Sequence, residues 1–234
     1  MLRTALLLGP LLLATSATAA ITGSGLKLTE TRKVTDFSEI EVSDGVKLEV
    51  KKGAPSLVIE GDDNIVPLYA TEVVAGRLRI HRKTNEAIRT RRPLTVRVTM
   101  RALERLDASG GVDATIDGVW ARAFAATLSG GVELDAKGLD VDTFELDASG
   151  GVNVRADGTA KRARLHASGG VGLKAKALQI GAAELAGSGG CELELTARES
   201  ITGELSGGVG VTVYGHPPKS RVRTSGGAGV EYLD

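Results

Sequence analysis

The chain has 234 residues, 42% hydrophobic and 25% charged, enough apolar material for a core and too much for a disordered chain. With 31 Gly against 3% aromatics the core has to be thin and close-packed, which disfavours a large α/β enzyme. Lys+Arg and Asp+Glu both number 29, so no whole-molecule charge draws the protein to nucleic acid or to an anionic membrane.

Met1-Leu2-Arg3 supplies a positive start, Ala5 to Ala14 a short apolar run, and Ala17-Thr18-Ala19 the small-x-small pattern of a cleavage site. Residues 1–20 therefore read as a signal peptide, and the mature chain as exported, in the periplasm or at the cell surface. No later stretch approaches the roughly 18 apolar residues of a spanning helix, so no transmembrane segment is expected in the mature chain. Cys191, the only cysteine, is far from the cleavage point, which argues against a lipoprotein and leaves no internal disulfide.

Residues 21–105 read as irregular β structure with a basic loop. Val42 to Val50 contains Ser43-Asp44-Gly45-Val46, a degenerate copy of the unit that follows. Leu57-Val58-Ile59 and Leu78-Arg79-Ile80 read as strands, with a turn or short helix between Asp62 and Leu68. Leu94, Val96, Val98 and Met100 alternate with other residues and lead into the regular part.

Residues 106–234 repeat, continuing one domain with 21–105. Ser-Gly-Gly triplets begin at Ser109, Ser129, Ser149, Ser168, Ser188, Ser206 and Ser225, in steps of 20, 20, 19, 20, 18 and 19. Three residues after the serine stand Val112, Val132, Val152, Val171, Cys191, Val209 and Ala228, and five after it another apolar set, with polar residues or glycine between. This is strand alternation on both sides of a glycine corner. A second corner recurs at Gly118, Gly138, Gly158 and Gly215. A unit of about 19 residues cannot bury its own apolar face, but stacked units can. The predicted fold is therefore all-β: a single-stranded parallel β-helix, or β-solenoid, wound right-handed because parallel crossovers almost always take that hand.

The segments Asp36-Phe37-Ser38-Glu39-Ile40, Gly45-Val46-Lys47-Leu48, Asp63-Asn64-Ile65, Gly76-Arg77-Leu78-Arg79-Ile80 and Leu103 to Gly110, in that order and spacing, resemble the bacterial auto-transporter adhesin head family, the head GIN domain. The resemblance runs from about Val34 to Tyr214. It implies an exported parallel β-helix, with no agreed catalytic residues. An auto-transporter carries a C-terminal membrane barrel; the sequence to Asp234 shows none, so reaching the surface is expected to depend on another component.

The serine column is expected to satisfy the turns' own backbone groups rather than to supply a nucleophile. Two residues before the serines, Asp147 and His166 should meet on neighbouring turns of the chain, the geometry in which acid/base groups assemble, but a mixed-charge face is the plainer reading. No His/Asp cluster has metal-ligand spacing, and Cys191 in a valine column reads as a small core residue. No catalytic residue, metal or cofactor is assigned. Between Arg77 and Arg105 ten basic residues face only Glu86 and Glu104. Within this run Arg89, Arg91 and Arg92 are the candidate ligand-binding residues, suited to anionic groups of an envelope polysaccharide or to another envelope protein. The alternative is that the charges of this loop pair with acidic faces elsewhere. The expected function is a non-catalytic adhesion, binding or structural module; the competing reading is a polysaccharide lyase or hydrolase.

Overall fold

A computed structural model describes residues 20–234, so the expected signal peptide lies, up to residue 19, outside the described residues. The strands run β1 (Ile21–Thr22), β2 (Lys27–Arg32), β3 (Glu39–Ser43), β4 (Val46–Lys52), β5 (Ser56–Asp62), β6 (Tyr69–Val74), β7 (Arg77–Arg82), β8 (Ile88–Arg89) and β9 (Leu94–Met100). They continue as β10 (Arg105–Ser109), β11 (Asp113–Val119), β12 (Ala123–Gly130), β13 (Glu133–Gly189), β14 (Glu192–Gly207), β15 (Gly210–Tyr214), β16 (Lys219–Gly226) and β17 (Gly229–Leu233). A 3-10 turn at Val66–Leu68 occupies the place where a turn or short helix was expected.

Alternation places one side chain in two inside. In β12, Phe124, Ala126 and Leu128 are buried, and Phe124 stacks on Phe144 of β13 with ring centroids 5.9 Å apart. Val132, Val152 and Cys191 are all buried in the same core, and the Cys191 thiol is free. Strands one period apart pair in parallel: Ser109 lies opposite Ser129 and Ser188 opposite Ser206, while the other side of Ser109 is taken, also in parallel, by Ser43 from 66 residues earlier. The corners between them come so close that only glycine fits. Gly189 has φ +89°, and a Cβ there would sit 2.8 Å from the Gly169 carbonyl oxygen.

The expected single-stranded parallel β-helix is nevertheless overturned. The all-β class stands, but the strands build a mixed 15-stranded sheet that wraps the core and nearly closes on itself in the manner of a barrel. In the N-terminal third β5 runs antiparallel between β2 and β9, and β6 and β7 form an antiparallel hairpin. The hairpin turns on Ala75 and Gly76, both at positive φ (50° and 78°), as a tight two-residue connection requires. Equal spacing of glycine corners reports which segments lie side by side. It carries no information on reversed strands that cover an otherwise unpaired edge, and here β2, β5 and β6 do that.

Candidate functional site

The basic run does not remain a block of free charge, because the sheet register sets carboxylates against it. Pairing β7 with β3 puts Arg77 opposite Glu39 and Arg79 opposite Glu41. Arg77 then contacts Glu39 at 2.6 Å and Asp107 at 3.1 Å, and Arg79 contacts Glu41 at 3.2 Å. Arg82 meets Asp44 at 3.0 Å, and Arg97 bridges Glu49 (3.2 Å) and Glu60 (3.1 Å). Arg101 and Arg105 lie 3.6 Å from Asp36 and 3.8 Å from Asp107. These six arginines are thus paired with carboxylates, although only Arg82 among them lies in the 81–93 loop itself.

Arg89, Arg91 and Arg92 behave differently. All three are exposed, and among the described residues none has a carboxylate within ion-pair distance of its side chain. Arg89 belongs to β8, which pairs in parallel with β1, so the excursion from the main sheet has a short strand of its own. The Arg91 guanidinium donates to the Ser24 carbonyl (3.3 Å) and Arg92 Nε to the Gly25 carbonyl (2.8 Å), leaving the remaining donors of both free to face outward.

Asp62, fully buried at the end of β5, holds this loop in place. Its Oδ2 accepts the backbone amides of Arg91 (2.8 Å) and Arg92 (3.1 Å), and its Oδ1 the amide of Gly25 (2.9 Å). Burial pushes the carboxyl up, but the amides of Arg92, Arg91 and Gly25 outweigh it and hold the group below the ordinary aspartate range. Gly23 is tied to the same carboxylate, since a Cβ there would lie 2.1 Å from Asp62 Oδ2. The loop is therefore preorganised by one buried anion. Sequence reasoning did not single out Asp62; the signal available was Gly61-Asp62-Asp63-Asn64, residue types that bond to nearby backbone amides.

On the serine face the expected neighbours do meet: His166 Nδ1 lies 3.1 Å from Asp147 Oδ1. They sit in an open groove of about 580 Å³ whose floor is Ala148, Ala167 and Gly187 and whose edge is the serine column. The pair is more than half exposed, at 56% and 62%, and the nearby Glu204 is engaged with Arg223 at 3.4 Å. Ser188 donates to Ser168 at 3.4 Å, and among the described residues no serine hydroxyl bonds to His166. No group of three His, Cys, Asp or Glu side chains among the described residues could hold a metal ion.

The family model described as "Putative auto-transporter adhesin, head GIN domain" matches residues 36–217. Among solved structures, the fold is similar to that of a putative adhesin from Bacteroides fragilis NCTC 9343, with 21% identity, a TM-score of 0.85, and coverage of 92% of this chain and 100% of that one. It is also similar to a putative lipid binding protein from Parabacteroides distasonis ATCC 8503 (21% identity, TM-score 0.72, 92% and 100% covered). A putative adhesin of the same organism follows at 17% identity and a TM-score of 0.70, again with 92% and 100% covered. No curated protein sequence matches the chain. Among the described residues no helix is long and apolar enough to cross a membrane.

Proposed function

Because the chain belongs to the family described as "Putative auto-transporter adhesin, head GIN domain", we propose that it is an exported, non-catalytic binding module of the cell envelope that grips anionic groups of an envelope polysaccharide through Arg89, Arg91 and Arg92. One observation carries this reading. Of ten basic residues in the run, six are neutralised by carboxylates and Lys83 donates to the Pro67 carbonyl, whereas these three arginines stand exposed on a loop whose backbone is fixed from below by Asp62. A guanidinium is permanently charged, and its planar fork holds two oxygens of a carboxylate, sulfate or phosphate at once. A preorganised loop loses little entropy on binding. Exposed charges are screened within roughly 8–10 Å at physiological salt, so binding is modest and weakens as salt rises.

The probes are immobilised polygalacturonate and dextran sulfate, with neutral dextran and phosphatidylglycerol vesicles as comparison arms. The protein is expected to bind both anionic polymers and not dextran. The triple variant Arg89→Gln/Arg91→Gln/Arg92→Gln should bind at least about tenfold more weakly, a change of roughly 1.4 kcal/mol. Its Tm should fall by no more than a few degrees, since the side chains contribute only exposed hydrogen bonds to Ser24 and Gly25. Undiminished binding by the triple variant sinks the proposal. Binding to vesicles alone assigns the site to a lipid headgroup, lipid being the ligand for which one of the structural relatives is named.

Catalysis is expected to be absent. Asp147 and His166 engage each other, and general acid/base work on a glycosidic bond needs a further group with its own role at the same place. Incubation with the same polysaccharides should release no reducing ends. Release that disappears in His166→Ala would establish the enzyme instead.

A further inference from the structure

Trp120 is the only tryptophan of the chain, in a protein with 3% aromatics. The largest apolar side chain available is not spent on the core. It lies partly exposed in the corner between β11 and β12, with its six-membered ring resting directly on Gly118. A Cβ at Gly118 would be 2.1 Å from Trp120 Cζ2, and Gly118 also has φ +85°, so glycine both makes the corner and seats the indole. The Lys52 ammonium is 5.2 Å from the ring centroid.

Beside the ring is a cavity of about 520 Å³. Its floor is apolar, formed by the buried Val119 and Val141, and its rim is polar. The rim arises from the period of the chain: Asp140 and Thr159 stand 20 and 19 residues further on from Trp120 in succession, while Asp142 and Lys161 follow Arg122 at the same intervals. The Arg122 carbonyl accepts the Asp142 amide at 2.8 Å, which fixes the two turns against each other. Lys161 Nζ lies 2.5 Å and Arg122 Nε 3.4 Å from Asp142, and Thr159 donates to Asp140 at 3.2 Å. The hydrogen bond from Lys161, helped by its charge and by Arg122, holds the Asp142 carboxyl below its ordinary range, so it remains a pure acceptor.

We propose that this corner is a saccharide-binding subsite in which the Trp120 indole takes the apolar face of a neutral pyranose while Asp140, Asp142, Arg122 and Lys161 hold its hydroxyls. A pyranose presents one face of C–H groups and an equator of hydroxyls. An aromatic surface beside a carboxylate held by two cationic side chains matches both features. With Lys52 over the ring the site carries three cations, but the carboxylates of Asp140 and Asp142 stand on the rim itself and repel an anionic group, which favours an uncharged sugar over the anionic groups suited to the arginine loop. Binding here is independent of Arg89, Arg91 and Arg92.

A single tryptophan makes the test direct, because indole emission excited beyond the tyrosine band reports this site alone. Titration of the full chain with cellotetraose and with N-acetylchitotetraose is expected to give a saturable change in Trp emission, with half-saturation on the order of 0.1–10 mM for at least one of them. By calorimetry, Trp120→Ala should lose the binding and Asp142→Asn should weaken it by about tenfold, or roughly 1.4 kcal/mol. Asp142 is at the surface, so that second variant remains folded and keeps the test valid if Trp120→Ala does not fold. The triple arginine variant should give the wild-type emission response, which separates this site from the anionic one. Unchanged emission with both tetrasaccharides, or calorimetric binding retained in Asp142→Asn at wild-type strength, overturns the proposal.

Discussion

Val132→Asp is expected to lower the Tm by about 10–20 °C, while Glu133→Ala should move it by no more than a few degrees. The two residues are neighbours, and alternation sends them to opposite sides of the sheet. Val132 is 1% exposed, in a core that includes Val112 and Val152. An aspartate there would lose the burial of an isopropyl group and bring in a carboxylate with no cation or donor beside it. Together these cost on the order of 4–5 kcal/mol, even if the carboxyl neutralises rather than remaining charged. Glu133, by contrast, makes an exposed pair with Arg155 at 2.7 Å, with both side chains more than half accessible. Such a pair contributes about 0–1 kcal/mol. Thermal melts of the two variants decide the point: equal shifts would refute the assigned inward and outward faces, and a reversed order would mean that they are exchanged.

Asp62→Asn should have the next largest effect, with a Tm on the order of 5–10 °C lower at neutral pH. The substitution preserves shape but replaces one oxygen by an NH₂ group. If the remaining oxygen stays on Gly25, the new amide faces the backbone N–H groups of Arg91 and Arg92 with nothing to accept them. The damage should be local first. Hydrogen exchange is expected to speed up at 23–26 and 90–92 before the rest of the sheet, and polygalacturonate binding should weaken because the loop is no longer held. The effect also has a pH signature. The folded-state pKa of Asp62 is depressed, so its contribution is fully present above the ordinary aspartate value of about 3.9 and is lost as pH falls through the lower folded value. The gap in Tm between wild type and Asp62→Asn should therefore be constant from neutral pH down to roughly pH 5 and should narrow below about pH 4. A gap independent of pH to the acid limit would show that the ionised carboxylate is not what holds the loop.

What the sequence determined by itself is what depends on near neighbours along the chain and on regular spacing. The inward phase of Val132, Val152 and Cys191 follows from alternation, and the lateral pairing of Ser109 with Ser129 follows from a step of 20 residues between like corners. The meeting of Asp147 with His166 was legible for the same reason, as was the family, whose motifs are local strings in a fixed order. The tertiary structure decided the rest. A period says that segments stack, but it does not show that β5 reverses between β2 and β9, so the closure of the mixed sheet was invisible to it. The basic run looked uncompensated because its partners are remote: Glu39 lies 38 residues before Arg77, and Glu49 lies 48 before Arg97. Strand register brings these charges together, and only after that pairing do Arg89, Arg91 and Arg92 stand apart as arginines free of carboxylates. Asp62 and Trp120 were hidden for a related reason. Whether an aspartate is buried on three amides, or a tryptophan is left at a corner over a glycine, depends on which distant segments surround it, and composition and spacing do not record that.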